Sequence, residues 1–146
     1  FVVLFRSFYL AVIGMIPNLL AASVVLGTMG WMKVPLDIMT ITVAAISIGM
    51  AVDNTIHYIH RFKLEFKKTS NYEVSMRNSH NTIGRAMFYT SATIIIGFLV
   101  LVTSNFNPTV YFGLFVSLAM FMALMGALTL LPQLLIILKP LGKEES

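Results

Sequence analysis

Four segments, residues 8–32, 38–60, 86–104 and 110–138, each run for 19 residues or more almost without charge. Three contain no Asp, Glu, Lys or Arg, and the second contains a single carboxylate, Asp53. A helix needs about 17–25 mostly apolar residues to cross a bilayer. Inside the hydrocarbon every backbone N–H and C=O must find its partner within the protein, which restricts a lone span to helix. The chain is therefore expected to be an all-α membrane protein, a polytopic bundle of transmembrane helices. The alternative is a soluble all-α domain with buried helices, but the polar surface it needs is missing. Charged residues make up 11% of the chain, against about a quarter in soluble domains.

The charges that remain set a topology. Residues 61–85 hold Arg61, Lys63, Lys67, Lys68, Arg77 and Arg85 against Glu65 and Glu73. The connector before them has only Lys33 and Asp37, and the one after, NFNPT at 105–109, has no charge. The excess of Lys and Arg places 61–85 in the cytoplasm and the other two connectors outside. Four crossings then put Arg6 and Lys139 on the cytoplasmic side as well. The expected location is a plasma or inner membrane, with connector 61–85 and the tail 139–146 in the cytoplasm. A membrane loop accounts for the basic connector, so nucleic acid is not an expected partner. The opening residues 1–7, FVVLFRS, are expected to be the end of a preceding helix and a turn, within a fragment of a larger protein. No signal-peptide pattern stands there. The chain has no cysteine, which removes disulfide and thiolate chemistry.

Within the connector, Tyr72, Met76, Ile83 and Met87 recur near helical spacing among polar residues. That pattern predicts an amphipathic helix at the membrane surface, with Asn71 as its cap. Pro17 and Pro132 fall inside apolar segments, where each removes a backbone donor and should kink its helix.

Asp53 is the candidate functional residue. It lies eight residues before Arg61, about 12 Å inside the span at 1.5 Å per residue. Ala45, Gly49, Asp53 and His57 recur every four residues and share one helical face. Small residues allow close helix approach, so this face is expected to meet protein rather than lipid. A carboxylate at depth costs about 2.5–3.5 kcal/mol on insertion scales, and such acids mark ion or proton pathways. Thr93 lies eight residues into the next apolar segment, at matching depth, and Thr90, Thr93, Gly97 and Ser104 fall near one face there. Their hydroxyls are candidate partners for Asp53 in either protonation state. The functional reading is a proton-carrying site of Asp53, His57, Thr90 and Thr93, with Ala45, Gly49, Asn54 and Gly97 as packing residues around it. The structural reading is a carboxylate that only holds helices together. His57 could relay protons or be an interfacial histidine, and His60 is the more interfacial of the two. A metal site from Asp53, His57 and His60 lacks a second ligand cluster, so no metal is expected. Nothing in the chain matches a nucleophile–base pair, a phosphate loop or a nucleotide fingerprint. No enzyme activity or cofactor is expected, and a proton gradient would be the energy source.

Four blocks together carry a family resemblance: LFRSFYLAVIGMIPNLL, GTMGWMKVPLDIMT, ISIGMAVDNTIHYIHRF and TIGRAMFYTSATIIIGFLVLVTSNF. In this order they resemble the membrane half-repeat of the RND superfamily, in its MMPL-like and predicted-exporter branch, which is related to sterol-sensing-domain proteins. The most specific element is G-x-x-x-D at 49–53 followed by T-I-H at 55–57. The resemblance implies a transporter of two six-helix repeats, each carrying a large extracytoplasmic domain after its first helix. This chain would then be the end of the second repeat, a partial eighth helix followed by helices nine to twelve. The family's intramembrane acid, part of its proton relay, maps onto Asp53, and its small polar residues map loosely onto Thr90, Ser91 and Thr93. Where the family often has a second acid or Tyr, this chain has Asn54. The implied function is proton-driven export of hydrophobic or lipid-like substrates. The expected partners are the lipid bilayer, such a substrate, the remaining helices and extracytoplasmic domains, and further copies of the protein in a homo-oligomer. The alternatives are a sterol-sensing-like lipid-binding module without transport and a membrane scaffold subunit.

Overall fold

Asp37 starts the longest helix. Its Oδ1 accepts from the Thr40 N–H at 3.0 Å, and the Thr40 hydroxyl accepts from the Asp37 N–H at 2.8 Å. This reciprocal cap satisfies two donors that the first turn would otherwise leave open. In the computed structural model, which describes residues 2–142, seven α-helices follow one another. They are α1 (Val2–Phe5), α2 (Phe8–Trp31), α3 (Ile38–Thr69), α4 (Tyr72–Ser79), α5 (Arg85–Val100), α6 (Asn107–Met125) and α7 (Leu131–Leu138). A π-turn, His80–Gly84, joins α4 to α5, and a second, Gly126–Leu130, joins α6 to α7. A 3-10 turn, Leu101–Thr103, ends α5. Every regular element among the described residues is helical, and four continuous helical stretches are long and apolar enough to cross a membrane. The protein is an all-α membrane protein. Of the expected tail 139–146, residues 143–146 lie outside the described residues.

At 32 residues, α3 is about 48 Å long, more than the roughly 30 Å hydrocarbon core. Its last turns, with Glu65, Lys67 and Lys68, therefore project beyond the apolar layer. Ser70, in the left-handed region at φ 51°, stops the helix, and its N–H returns to the Phe66 carbonyl at 2.8 Å. The chain then folds back along α3 as α4, capped as expected by Asn71, whose Oδ1 accepts from Glu73 N–H at 2.9 Å and Val74 N–H at 3.2 Å. The amphipathic pattern is realised by packing, since Tyr72 and Met87 are buried and Met76 and Ile83 lie against the same core. The Tyr72 hydroxyl donates to the Gly142 carbonyl at 2.7 Å and accepts from the Leu141 N–H at 3.0 Å, tying this elbow to the end of the last helix.

α6 is the central element, packed against α2, α3 and α5. The core falls into three layers along the bundle. Near the basic connector it is built on Tyr58, Phe62, Tyr72, Leu131 and Leu135, and at the other end on Val25, Met29, Val43, Phe115 and Val116. Between them Ala21, Ala51 and Ala123 meet, three small residues that bring α2, α3 and α6 close. The two prolines stand in different settings. Pro17 stays within a continuous α2, where its Cβ lies opposite Gly126, and a Cβ on that glycine would stand 3.2 Å away. Pro132 follows the second π-turn and stands in the first turn of α7.

Candidate functional site

Asp53 and His57 are brought together. Asp53 Oδ1 lies 3.3 Å from His57 Nε2, one turn along α3. Their side chains are 70% and 59% exposed, so the pair points away from this bundle. The expectation that Ala45 and Gly49 turn the acid toward the helix after the elbow is corrected here. Both are exposed, and nothing lies within 4 Å of where a Gly49 Cβ would stand. The buried face of α3 runs through Val43, Ser47, Ala51, Thr55, Tyr58 and Phe62. Asp53 lies two residues from Ala51, a rotation of about 200° at 3.6 residues per turn. Small residues line both faces, and the one chosen for burial is the face with Ala51, where Ala21 and Ala123 complement it.

Nor do the α5 hydroxyls approach the acid. Thr90, Thr93 and Gly97 are exposed, and the Thr93 hydroxyl donates to the Tyr89 carbonyl of its own helix at 2.9 Å. In an apolar medium that back-bond satisfies the hydroxyl without a neighbour. α6 packs against both α3 and α5 and stands between their main surfaces. Asn54 is separated from Asp53 in environment although adjacent in sequence. It is buried, and its Nδ2 has no hydrogen-bond partner among the described residues. His60 is exposed beside Lys63 and Lys67 in a crevice under α1. No group of three or more His, Asp or Glu among the described residues could hold a metal ion.

One well-connected polar group in the bundle escaped the sequence reading. His80, at the start of the first π-turn, places Nε2 2.8 Å from the Leu128 carbonyl in the second. A carbonyl requires a donor, so Nε2–H donates to Leu128, while Nδ1 lies 2.9 Å from the Tyr58 hydroxyl and 3.0 Å from the Met76 carbonyl of its own helix. The reason for the contact lies in the last helix. The ordinary helical donor to the Leu128 carbonyl would be residue 132, and Pro132 has no N–H. His80 supplies a donor from another helix. Gly84 lets the two turns close, since a Cβ there would meet Leu128 Cδ2 at 3.3 Å. The proline was legible; its acceptor partner, 48 residues away, was not.

This clasp is testable by a double-mutant cycle. His80→Ala leaves a carbonyl unsatisfied and is expected to cost about 1–3 kcal/mol. In a Pro132→Ala background the restored N–H should reduce that cost by at least about half. Unfolding in detergent measures both, and equal costs in the two backgrounds would show that His80 does not replace the missing donor.

A second polar knot fixes the elbow. Glu65, 7% exposed in its side chain, accepts from Arg61 at 2.8 Å, with Lys68 at 3.8 Å and Asn78 Nδ2 at 3.3 Å. It joins the projecting end of α3 to α4, and its partners identify it as a structural carboxylate.

Comparison with known proteins places these helices in a family. Residues 1–144 match the MMPL family. The chain is 29% identical over 136 residues to the membrane protein MJ1562 of Methanocaldococcus jannaschii, covering 93% of this chain and 35% of that relative. It thus spans about a third of the length of the curated relative that it matches. No solved structure matches. A match over nearly all of its length, on a bundle with four helices able to cross a membrane, means that the chain belongs to the MMPL family.

Proposed function

We propose that this chain is the coupling part of a proton-driven, RND-type exporter of hydrophobic or lipid-like substrates. The observation that carries the proposal is the Asp53–His57 pair, exposed on an otherwise apolar stretch of a membrane-crossing helix. Such a pair is costly against lipid, so further helices or water must shelter it in the complete protein. The face with Ala45 and Gly49 offers those helices a close approach. Asp53 would take up and release the proton, and His57, within reach of its oxygen, would tune or pass it on. Connector 61–85 would face the cytoplasm, following its six cations. The energy would come from the membrane gradient, worth roughly 2.3 kcal/mol per charge per 100 mV. No chemical step on a substrate is part of this reading.

The test is the full-length protein in sealed vesicles with an imposed pH gradient. Movement of a fluorescent lipid-like probe should follow the gradient and stop when a protonophore collapses it. Probe binding that is indifferent to the gradient would instead support a lipid-binding regulatory module.

A further inference from the structure

Beneath the elbow, outside the Asp53 face, lies a cleft of about 230 Å³ lined by His80, Gly84, Arg85, Phe88, Tyr89 and Leu128. Its floor is the His80–Leu128 contact already described, so the histidine Nε2 proton is committed and the floor is fixed. Its polar wall is Arg85, which is exposed, and no carboxylate among the described residues pairs with it. Its apolar wall is the Phe88–Tyr89 pair, with ring centroids 5.9 Å apart and nearly perpendicular, both side chains exposed.

Depth gives these residues a common meaning. Arg85 is the last charge before the uncharged run 86–104, so it marks the edge of the hydrocarbon on the connector's side. Exposed aromatic rings one turn further in sit where aromatic belts meet lipid headgroups. The stretch Tyr72–Thr103 is the least buried of the four candidate spans, 11% inside the bundle over its apolar window. Acyl chains therefore have open apolar surface below the cleft, along Ile96 and Leu99. Basic pockets between membrane helices on the positively charged side hold anionic head groups. An unpaired guanidinium presents the fork that suits phosphate oxygens, and the exposed Tyr89 hydroxyl can add a donor.

We infer that this cleft is a binding site for an anionic phospholipid, with the headgroup phosphate on Arg85 and the chains along the outer face of α5. The site goes beyond the proton-coupling reading and stands whether or not Asp53 carries protons. Its consequence is mechanical: a lipid there would brace the joint where both π-turns meet.

The experiment titrates the full-length protein in mild detergent with phosphatidylglycerol or phosphatidylcholine and counts retained lipid by native mass spectrometry. Phosphatidylglycerol should be retained in preference. Arg85→Gln should lower its affinity about fivefold, the value of one basic residue at an anionic surface. Arg85→Lys should recover part of it. Lys67→Gln removes the same charge from a different crevice and should leave retention unchanged. Equal losses for Arg85→Gln and Lys67→Gln would reduce the effect to diffuse attraction and overturn the site. So would equal retention of the two lipids, or displacement by millimolar inorganic phosphate. Thermal midpoints of the variants, expected to match the parent in the absence of added lipid, separate lost binding from lost folding.

Discussion

Asp53→Asn in the full-length protein is expected to reduce gradient-driven movement of substrate roughly a hundredfold, the scale lost when a positioned proton-transfer group is removed. Asn has nearly the same shape and cannot ionise. Asp53 is the only acid within the four apolar segments, so no neighbour in this chain can replace it. Its side chain is 70% exposed and takes no part in the bundle's packing, so the variant should fold and insert normally. Those two outcomes together separate coupling from architecture. A scaffold role predicts the reverse: impaired assembly of the complete protein, with any residual transport keeping its dependence on the gradient. His57→Gln should have a smaller effect, because it leaves the carboxylate in place.

Gly113→Val is expected to destabilise the bundle by about 3 kcal/mol or more, at or above the upper end for overpacking. A Cβ at Gly113 would stand 2.5 Å from the Phe98 carbonyl oxygen and 2.8 Å from Leu101 Cβ. The first obstacle is backbone, which cannot swing aside as a side chain can. The Ser117 hydroxyl reaches both the Gly113 carbonyl at 2.7 Å and the Ile95 carbonyl at 3.4 Å, so α5 and α6 are locked at this separation. Gly49→Val is the matched comparison, since nothing lies within 4 Å of its Cβ position. It should leave this bundle folded and interfere only with whatever covers the Asp53 face. Melting in detergent distinguishes them, and a Gly113→Val variant as stable as the parent would contradict the close approach.

The two glycines show how far the sequence could be read. Both sit in apolar runs beside small or hydroxylated residues, and nothing in composition ranks one above the other. Gly49 drew attention because it precedes Asp53 by one turn, and the inference that it meets α5 was wrong. Gly113 carries the tight contact and had no local mark. The caps fared differently. Asn71 before Tyr72 was recognisable and does cap α4, because a cap is made with the next two or three residues.

The number and position of the apolar runs, the basic connector, the amphipathic elbow and the unusual acid were all determined by the sequence alone. Each rests on local chemistry: the length needed to cross hydrocarbon, the spacing of one helical face, the cost of a buried charge. Which face of α3 turns inward was decided only in the folded bundle. Lipid and protein interior are equally apolar, so hydrophobicity does not separate a face that meets lipid from one that meets a helix. The choice followed from complementary shape, with Ala51 against Ala21 and Ala123, and it left Asp53 and His57 outside. The clasp from His80 to Leu128 was likewise a tertiary decision, because a proline announces a missing donor but not where its replacement will come from.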